Sequence, residues 1–357
     1  MLTIIVLGLP ETGPNRRLAD VLDHAAEDLV RKAQVRFLLG ADAFLRVLSE
    51  GQVQDRLLFA VSMPPNGVSI DLMRVIAYLH DHRNALEHCT GGVIIDGRSE
   101  MFTKNLARQL IFAANCAGCA FPGRPLVEAT TDLYNFHVIA DVSGISTMDA
   151  YRAACADLVR RVLAHEETCR KRPNILTIHA GNRITSNTIL LWETIKRGLW
   201  EKADITEISV RNGTLTDCSG CPYETCLHFG EQGNCLYGGF MVEKVYPAVL
   251  KCDTLVLLCP NYNDAVSANI SAFINRLTAL FRANDFSDKR LYALVVSGYS
   301  GGDIVAEQIL GAMCLNKSFI LPPRFCLVET ANDPSSILER PRIDQRAAQM
   351  AQQILQG

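Results

Sequence analysis

The sequence predicts an α/β protein made of two tandem doubly wound domains, each a five-stranded parallel sheet of order 2-1-3-4-5 with helices on both faces. Three observations predict it. Short apolar runs of strand length alternate with amphipathic helical stretches, five times in each half. The length, 357 residues, suits about two domains, because domains commonly run to roughly 100–200 residues. The two halves also carry the same elements in the same order.

Taken in order, Ile4-Ile5-Val6-Leu7-Gly8 corresponds to Leu176-Thr177-Ile178-His179-Ala180, each a buried-type strand running into a turn. Asn15 then corresponds to Asn187, at the start of a first helix. Val35-Arg36-Phe37-Leu38 corresponds to Ile205-Thr206-Glu207-Ile208, and Asp55–Ala60 to Asp253–Leu258. Asp96-Gly97-Arg98-Ser99 aligns with Ser297-Gly298-Tyr299-Ser300, and Leu126-Val127-Glu128 with Leu327-Val328-Glu329. Amphipathic helices close the halves at Ser146–Ala164 and Ile343–Leu355. After the third strand of the second half, Ile270, Phe273, Ile274, Leu277, Leu280 and Phe281 form one apolar helix face for a sheet. The numbering offset is about 170–173 for the first two strands and about 198–201 afterwards. The second half therefore holds an insertion, at about residues 212–240, containing Cys218, Cys221, Cys226 and Cys235. The domains are expected at 1–170 and 171–357, divided in the charged stretch Glu166–Pro173.

Hydrophobic residues make up 48% and charged residues 20%, enough apolar material for real cores. The net charge is −3, which excludes a general nucleic-acid binder or a binder of anionic membrane. No run of about 18 apolar residues predicts a membrane span. Leu2–Leu9 lacks a basic flank and runs into Pro10, Gly13 and Pro14, so it reads as strand and turn, not as a signal peptide. A cytoplasmic protein is expected. Thirteen cysteines in a reducing compartment point to metal, cluster or redox chemistry before structural disulfides.

Ligands of doubly wound sheets bind at the carboxyl ends of the strands, where the strand order reverses. Three loops of the second half should converge there. Ala180–Thr188 is dense in hydrogen-bond donors, carries Arg183 and no acidic residue, and opens a helix; it reads as a phosphate site or as an ordinary turn capped by Thr185 or Ser186. Pro260–Ser267 places Tyr262 and several amides after the third strand. Ser297–Gly302 follows the fourth strand, with glycines that let backbone approach a ligand.

On these residues the second half, about Asn174 to Asn332, resembles the NADPH-dependent FMN reductase family of flavodoxin-like proteins. The family's Gly-Ser-Pro-Arg…Ser-Asn-Thr loop is similar to Gly181-Asn182-Arg183…Ser186-Asn187-Thr188, with Asn182 standing where the family has Ser-Pro. Its Pro-x-Tyr loop and following Phe-Ile-Asp-Arg helix resemble Pro260-Asn261-Tyr262…Ser267…Phe273-Ile274-Asn275-Arg276, and its Gly-rich loop resembles Ser297–Gly302. The resemblance implies that Asn182, Arg183, Ser186, Asn187 and Thr188 hold the FMN phosphate. It implies that Pro260, Asn261, Tyr262 and Asn263 line the isoalloxazine ring, and that Ser297, Gly298 and Gly301 close its other edge. The implied activity is hydride transfer from NAD(P)H to FMN and electron delivery to a quinone, azo compound, flavin or protein acceptor, with no dedicated acid–base residue. The alternative is a flavodoxin-like or iron–sulfur flavoprotein electron carrier without NAD(P)H activity of its own.

The insertion resembles the Cys-x-Gly-Cys-x-x-Cys…Gly-x-Cys run of that family, which its iron–sulfur flavoproteins use for a [4Fe–4S] cluster. Here the gaps between Cys218, Cys221, Cys226 and Cys235 are two, four and eight residues. Such a set serves a cluster, a Zn²⁺ ion, structural thiols or a redox pair. The other nine cysteines read as core, including Cys116 and Cys119, whose Cys-x-x-Cys closes a helix instead of opening one. In the first half, Glu11 would repel a phosphate, Pro10 and Pro14 lack N–H donors, and Ser62–Asn66 offers no stacking aromatic. A degenerate copy without FMN is expected there. Relatives act as dimers, so the resemblance implies a pseudo-dimer within the chain, or a homodimer; the alternative is that the first half only packs. Arg98, Arg124 and Tyr134 lie in its loops as candidates to face the flavin or a substrate.

Overall fold

The computed structural model describes residues 1–8, 17–31, 34–51, 56–166, 170–182, 185–211, 213 and 215–356. The chain divides into two compact units, Met1–Glu166 and Glu167–Gly357. The first unit contains β1 (Leu2–Leu7), β2 (Val35–Leu39), β3 (Arg56–Met63), β4 (Thr90–Gly97) and β5 (Leu126–Ala129). The second contains β6 (Asn174–His179), β7 (Asp204–Ser209), β8 (Thr254–Pro260), β9 (Arg290–Ser297) and β10 (Cys326–Thr330). Each set forms one five-stranded sheet, in the orders β2-β1-β3-β4-β5 and β7-β6-β8-β9-β10. Every pairing is parallel. Both sheets have the predicted order 2-1-3-4-5, the flavodoxin-like arrangement.

Continuous apolar strands need cover on both faces, and the helices supply it. Helices Asn187–Leu199 and Ile343–Gln356 pack on one face of the second sheet, where Trp192, Ile195, Met350 and Ile354 meet Val256, Leu258, Tyr292 and Leu294. Helix Ala268–Ala283 buries Ile270, Phe273, Leu277 and Leu280 completely, the face predicted from their spacing. The edge strand β7 is tied in by Glu207, which accepts from Trp192 Nε1 at 2.8 Å and from Lys196 Nζ at 2.9 Å.

The likeness of the two units extends to single backbone bonds. Gly91 N–H donates to Ala120 O (2.8 Å), and Leu291 N–H to Ile320 O (2.9 Å). Ala120 N–H donates to Cys89 O and Ile320 N–H to Lys289 O; Val93 N–H to Pro125 O and Ala293 N–H to Phe325 O. Arg124 and Arg324 both take a left-handed backbone, φ +53° and +51°. Each of these pairs stands 200 positions apart in the sequence.

The chain leaving the fifth strand is tied to the first helix in both units, by different chemistry. Asn187 Nδ2 donates to Ala331 O (3.1 Å) and Asp333 O (2.8 Å). Arg17 donates to Thr130 O (2.9 Å) and Thr131 O (3.0 Å), and forms a two-pronged ion pair with Asp96 at 2.6 and 2.9 Å. Asp96 also accepts from the Tyr151 hydroxyl. Between β7 and β8 the second unit holds helix Tyr223–Glu231 and then Met241–Val245 running into Tyr246–Lys251, whereas the described residues between β2 and β3 of the first hold helix Gly40–Ser49 alone.

Lys317 is 8% exposed, and burial pushes its ammonium from the ordinary 10.5 down to about 8. The unfolded chain therefore holds a proton that the folded one loses, so stability rises as pH climbs from about 8 to about 10.5. Below that window the whole penalty applies. Lys317→Met is expected to raise stability at pH 7 by about 2 kcal/mol and to flatten the rise, as read by urea denaturation at pH 7 and pH 10.

Candidate functional site

After β6, Asn182 O accepts from the N–H groups of Thr185 and Ser186. Ser186 Oγ caps helix Asn187–Leu199 by accepting from Ile189 N–H, and Ser186 O takes Leu190 N–H. The helix start leaves the N–H groups of Asn187 and Thr188 without intrahelical partners, at the positive end of the helix dipole. Asn182 is exposed and Ser186 half-buried. Asn187 and Thr188 have buried side chains, and the Asn187 amide is spent on the carbonyls after β10. What these two residues offer a ligand is therefore backbone. Arg183 lies outside the described residues.

The loops after β8 and β9 are joined through Asn261. Its N–H donates to Val296 O, and its Nδ2 lies within hydrogen-bonding distance of Ser297 Oγ (2.9 Å), Ser300 O (3.1 Å) and Asp264 Oδ1 (3.2 Å). Ser297 Oγ in turn donates to Ser300 O at 2.6 Å. Tyr262–Ala265 is a tight reversal in which Asn263 and Asp264 both have φ +55°, the left-handed pair of a type I′ turn. Gly301 (φ +84°) receives the Asp264 carboxylate, which would lie 2.0 Å from any Cβ built there. Tyr262 and Tyr299 present their rings to solvent, 59% and 78% exposed. Pro260, Asn261, Tyr262 and Asn263 are thus brought beside Ser297, Gly298 and Gly301.

Gln308, which the sequence does not single out, pins this assembly from helix Gly302–Ile309. Its Oε1 accepts from Val266 N–H (3.1 Å) and its Nε2 donates to Asp264 O (3.0 Å). The available signal is a lone amide between the buried Val305, Ala306 and Ile309. Two polar atoms in the loop, Asn261 Oδ1 and Ser267 Oγ, are buried without any hydrogen-bond partner. Such orphans are costly unless a ligand satisfies them. A planar ring whose edge alternates N–H and C=O groups would do so, and the residues present fit FMN on that ground.

Cys218, Cys221, Cys226 and Cys235 line one cavity of about 350 Å³, together with Phe229, Tyr237, Arg276 and Arg282. Cys218 is exposed and the other three are half-buried. Cys221 Sγ lies 3.7 Å from the Tyr237 hydroxyl. Burial holds the Cys226 thiol above its ordinary value, against the opposing pull of a hydrogen bond with Arg282. Among the described residues, no three His, Cys, Asp or Glu side chains stand close enough to hold a metal ion. The reason is the spacing: gaps of two, four and eight residues spread the thiols over an extended arm, helix Tyr223–Glu231 and the turn beyond it.

In the first unit, Arg98, Arg124 and Tyr134 are exposed within their own unit. Leu9–Arg16, with Pro10, Glu11 and Pro14, fall outside the described residues, as does Cys169. Cys119 is fully buried and Cys116 half-buried, and every described cysteine is a free thiol. No described helix is long and apolar enough to cross a membrane.

Residues 173–333 match the NADPH-dependent FMN reductase family. Among solved structures, the chain is similar to an NAD(P)H:quinone oxidoreductase from Methanothermobacter marburgensis, at 15% identity over 51% of this chain and 97% of that one, with a TM-score of 0.39. An azoreductase from Bacillus anthracis shares 14% identity over 52% and 99% of the two chains, TM-score 0.36. The Trp repressor binding protein from Bacillus subtilis shares 19% over 49% and 96%, TM-score 0.34. No curated protein matches the chain.

Gln308→Leu removes both hydrogen bonds by which helix Gly302–Ile309 holds the Tyr262 loop. It is expected to weaken FMN binding about tenfold, a loss of about 1.4 kcal/mol, with the second unit still folded. Titration by flavin fluorescence quenching, alongside a thermal melt, checks both parts.

Proposed function

We propose that the chain is an FMN-dependent NAD(P)H oxidoreductase, with FMN in the second unit and a quinone, azo compound, flavin or protein as electron acceptor. The observation that carries this reading is the family match over residues 173–333, on a unit whose three carboxyl-end loops contain two orphaned buried polar atoms. FMN, when bound, supplies the hydride- and electron-transferring chemistry. The chain's own residues bind and orient it. Asn182, Arg183, Ser186 and the N–H groups of Asn187 and Thr188 take the phosphate at the helix start. Pro260, Asn261, Tyr262 and Asn263 face the ring on one side, and Ser297, Gly298 and Gly301 close the other edge. Backbone N–H groups there stabilise negative charge at the ring edge. The first unit is read as a copy of the fold that holds no FMN. In it the end of β4 is committed to the Arg17–Asp96 ion pair, where Ser297 of the second unit bonds to the neighbouring loop.

The test is an anaerobic spectrum of the purified protein with FMN added, followed by NADH or NADPH. A bound flavin that bleaches with either nucleotide is expected. Protein that takes up no FMN sinks the proposal.

A second reading, an iron–sulfur flavoprotein electron carrier, is favoured by the four thiols around one cavity. It differs in outcome: flavin binds, NAD(P)H alone leaves it oxidised, and iron is retained. Iron, zinc and FMN analysis of one anaerobic preparation separates the two readings.

A further inference from the structure

The cavity walled by helices Tyr223–Glu231 and Ala268–Ala283 combines cations with rings and is lined by no acid. Arg276 and Arg282 both line it, and no Asp or Glu does. Asp217, which adjoins Cys218 in sequence, spends its Oδ1 on Asn275 Nδ2 (3.0 Å) and on the Cys218 N–H (2.7 Å). Phe229, Leu236, Tyr237 and Ala279 supply apolar wall.

Arg276 is the group that needs explaining. It stands in mid-helix between the fully buried Phe273 and Leu277, where packing asks for an apolar side chain. It is 3% exposed. Its Nη2 donates to Gly238 O at 2.7 Å, and its Nε–H is buried with no partner. A guanidinium keeps its charge at every physiological pH. Burying such a charge with a donor unused is costly unless an anion meets it. Cys226 does not provide that anion, because burial holds its thiol above the ordinary value and so neutral at neutral pH.

We propose that this cavity binds a small aromatic carboxylate, whose carboxylate accepts from Arg276 and whose ring lies among Phe229, Leu236 and Tyr237. The bond to Nε is charge-assisted, and stronger for it. Mostly apolar walls with a few polar groups to fix orientation are the mark of small-ligand sites, and the volume of about 350 Å³ falls within their range. A bare inorganic anion would leave the rings unused. Arg282 plays a lesser part: it is exposed and sits over the Tyr223 ring at 4.5 Å, so it adds charge without a buried bond. The site is separate from the flavin loops. Arg276 lies nine residues beyond Ser267, about 14 Å along the helix at about 1.5 Å per residue. The proposal needs neither FMN nor a metal, and the cavity serves as it stands.

The experiment titrates naphthylacetate into the full-length protein, with naphthylacetamide as its uncharged match and inorganic phosphate as an anion without a ring. Calorimetry reads affinity. Iodoacetamide labelling of each cysteine, resolved by mass spectrometry, reads location. Naphthylacetate is expected to bind saturably, at least about tenfold more tightly than either comparison compound. It is expected to slow labelling of Cys221, Cys226 and Cys235, and to leave the half-buried Cys116 of the first unit unchanged. Arg276→Gln is expected to lose at least about tenfold in naphthylacetate affinity and none for the amide, and Arg276→Lys to recover part of the loss. Circular dichroism reports folding, and Arg276→Met repeats the test where Arg276→Gln does not fold. No saturable binding, equal affinity for the amide or for phosphate, unprotected cavity cysteines, or folded Arg276→Gln with wild-type affinity overturns the proposal. FMN uptake is read on the same preparation, so failure here leaves the flavin reading standing, and failure of FMN to bind leaves this one.

Discussion

A parallel sheet releases its chain at the fifth strand with carbonyl groups that need donors, and the whole carboxyl end depends on which side chain provides them. In both units the donor comes from the start of the first helix. Where Arg17 does it, charge must be balanced nearby, and Asp96 at the end of β4 is drawn in, held further by Tyr151. Where Asn187 does it, the tie is neutral, and its Oδ1 accepts from Ile337 N–H. The end of β9 is then free to bond with the loop after β8 through Ser297 and Asn261. The two units thus differ in this donor, an ion-paired arginine in the first and a neutral amide in the second.

Fold was legible because it rests on patterns that survive in single residues: apolar runs, helical spacing, and serines at helix starts. Ser69, Ser146 and Ser186 cap their helices through their side chains. The shared Leu-Val-Glu of the fifth strands marked the strands correctly but not the use of the acid. Glu128 accepts from Thr103, at the start of the fourth helix, whereas Glu329 pairs with Arg346 on the last. The closest correspondence, around Cys119–Pro125 and Phe319–Phe325, escaped notice. It is carried by backbone bonds, and few side chains recur across it beyond Pro122 with Pro322 and Arg124 with Arg324.

The candidate site was legible in its loops and less so in its supports. Tyr262 and the glycines announce themselves by type. Asn187, expected at the phosphate, spends its amide on the fold, because a side chain's hydrogen bonds depend on a segment more than a hundred residues away. Gln308 acts by reaching a loop distant in sequence, which no local pattern reports. The cysteines were legible as a group. Their distances were not, since ligation depends on a helix that begins after the second thiol and carries the third.

Gly230 gives this arrangement a mechanical side. The cysteine helix rests on Ala268–Ala283 so closely that a Cβ at 230 would lie 2.2 Å from Ala279 O. Ala279 and the orphaned hydroxyl of Ser267 belong to the two ends of one rod, about 18 Å apart at 1.5 Å per residue. One continuous helix therefore joins the wall of the thiol cavity to the loop that carries Tyr262.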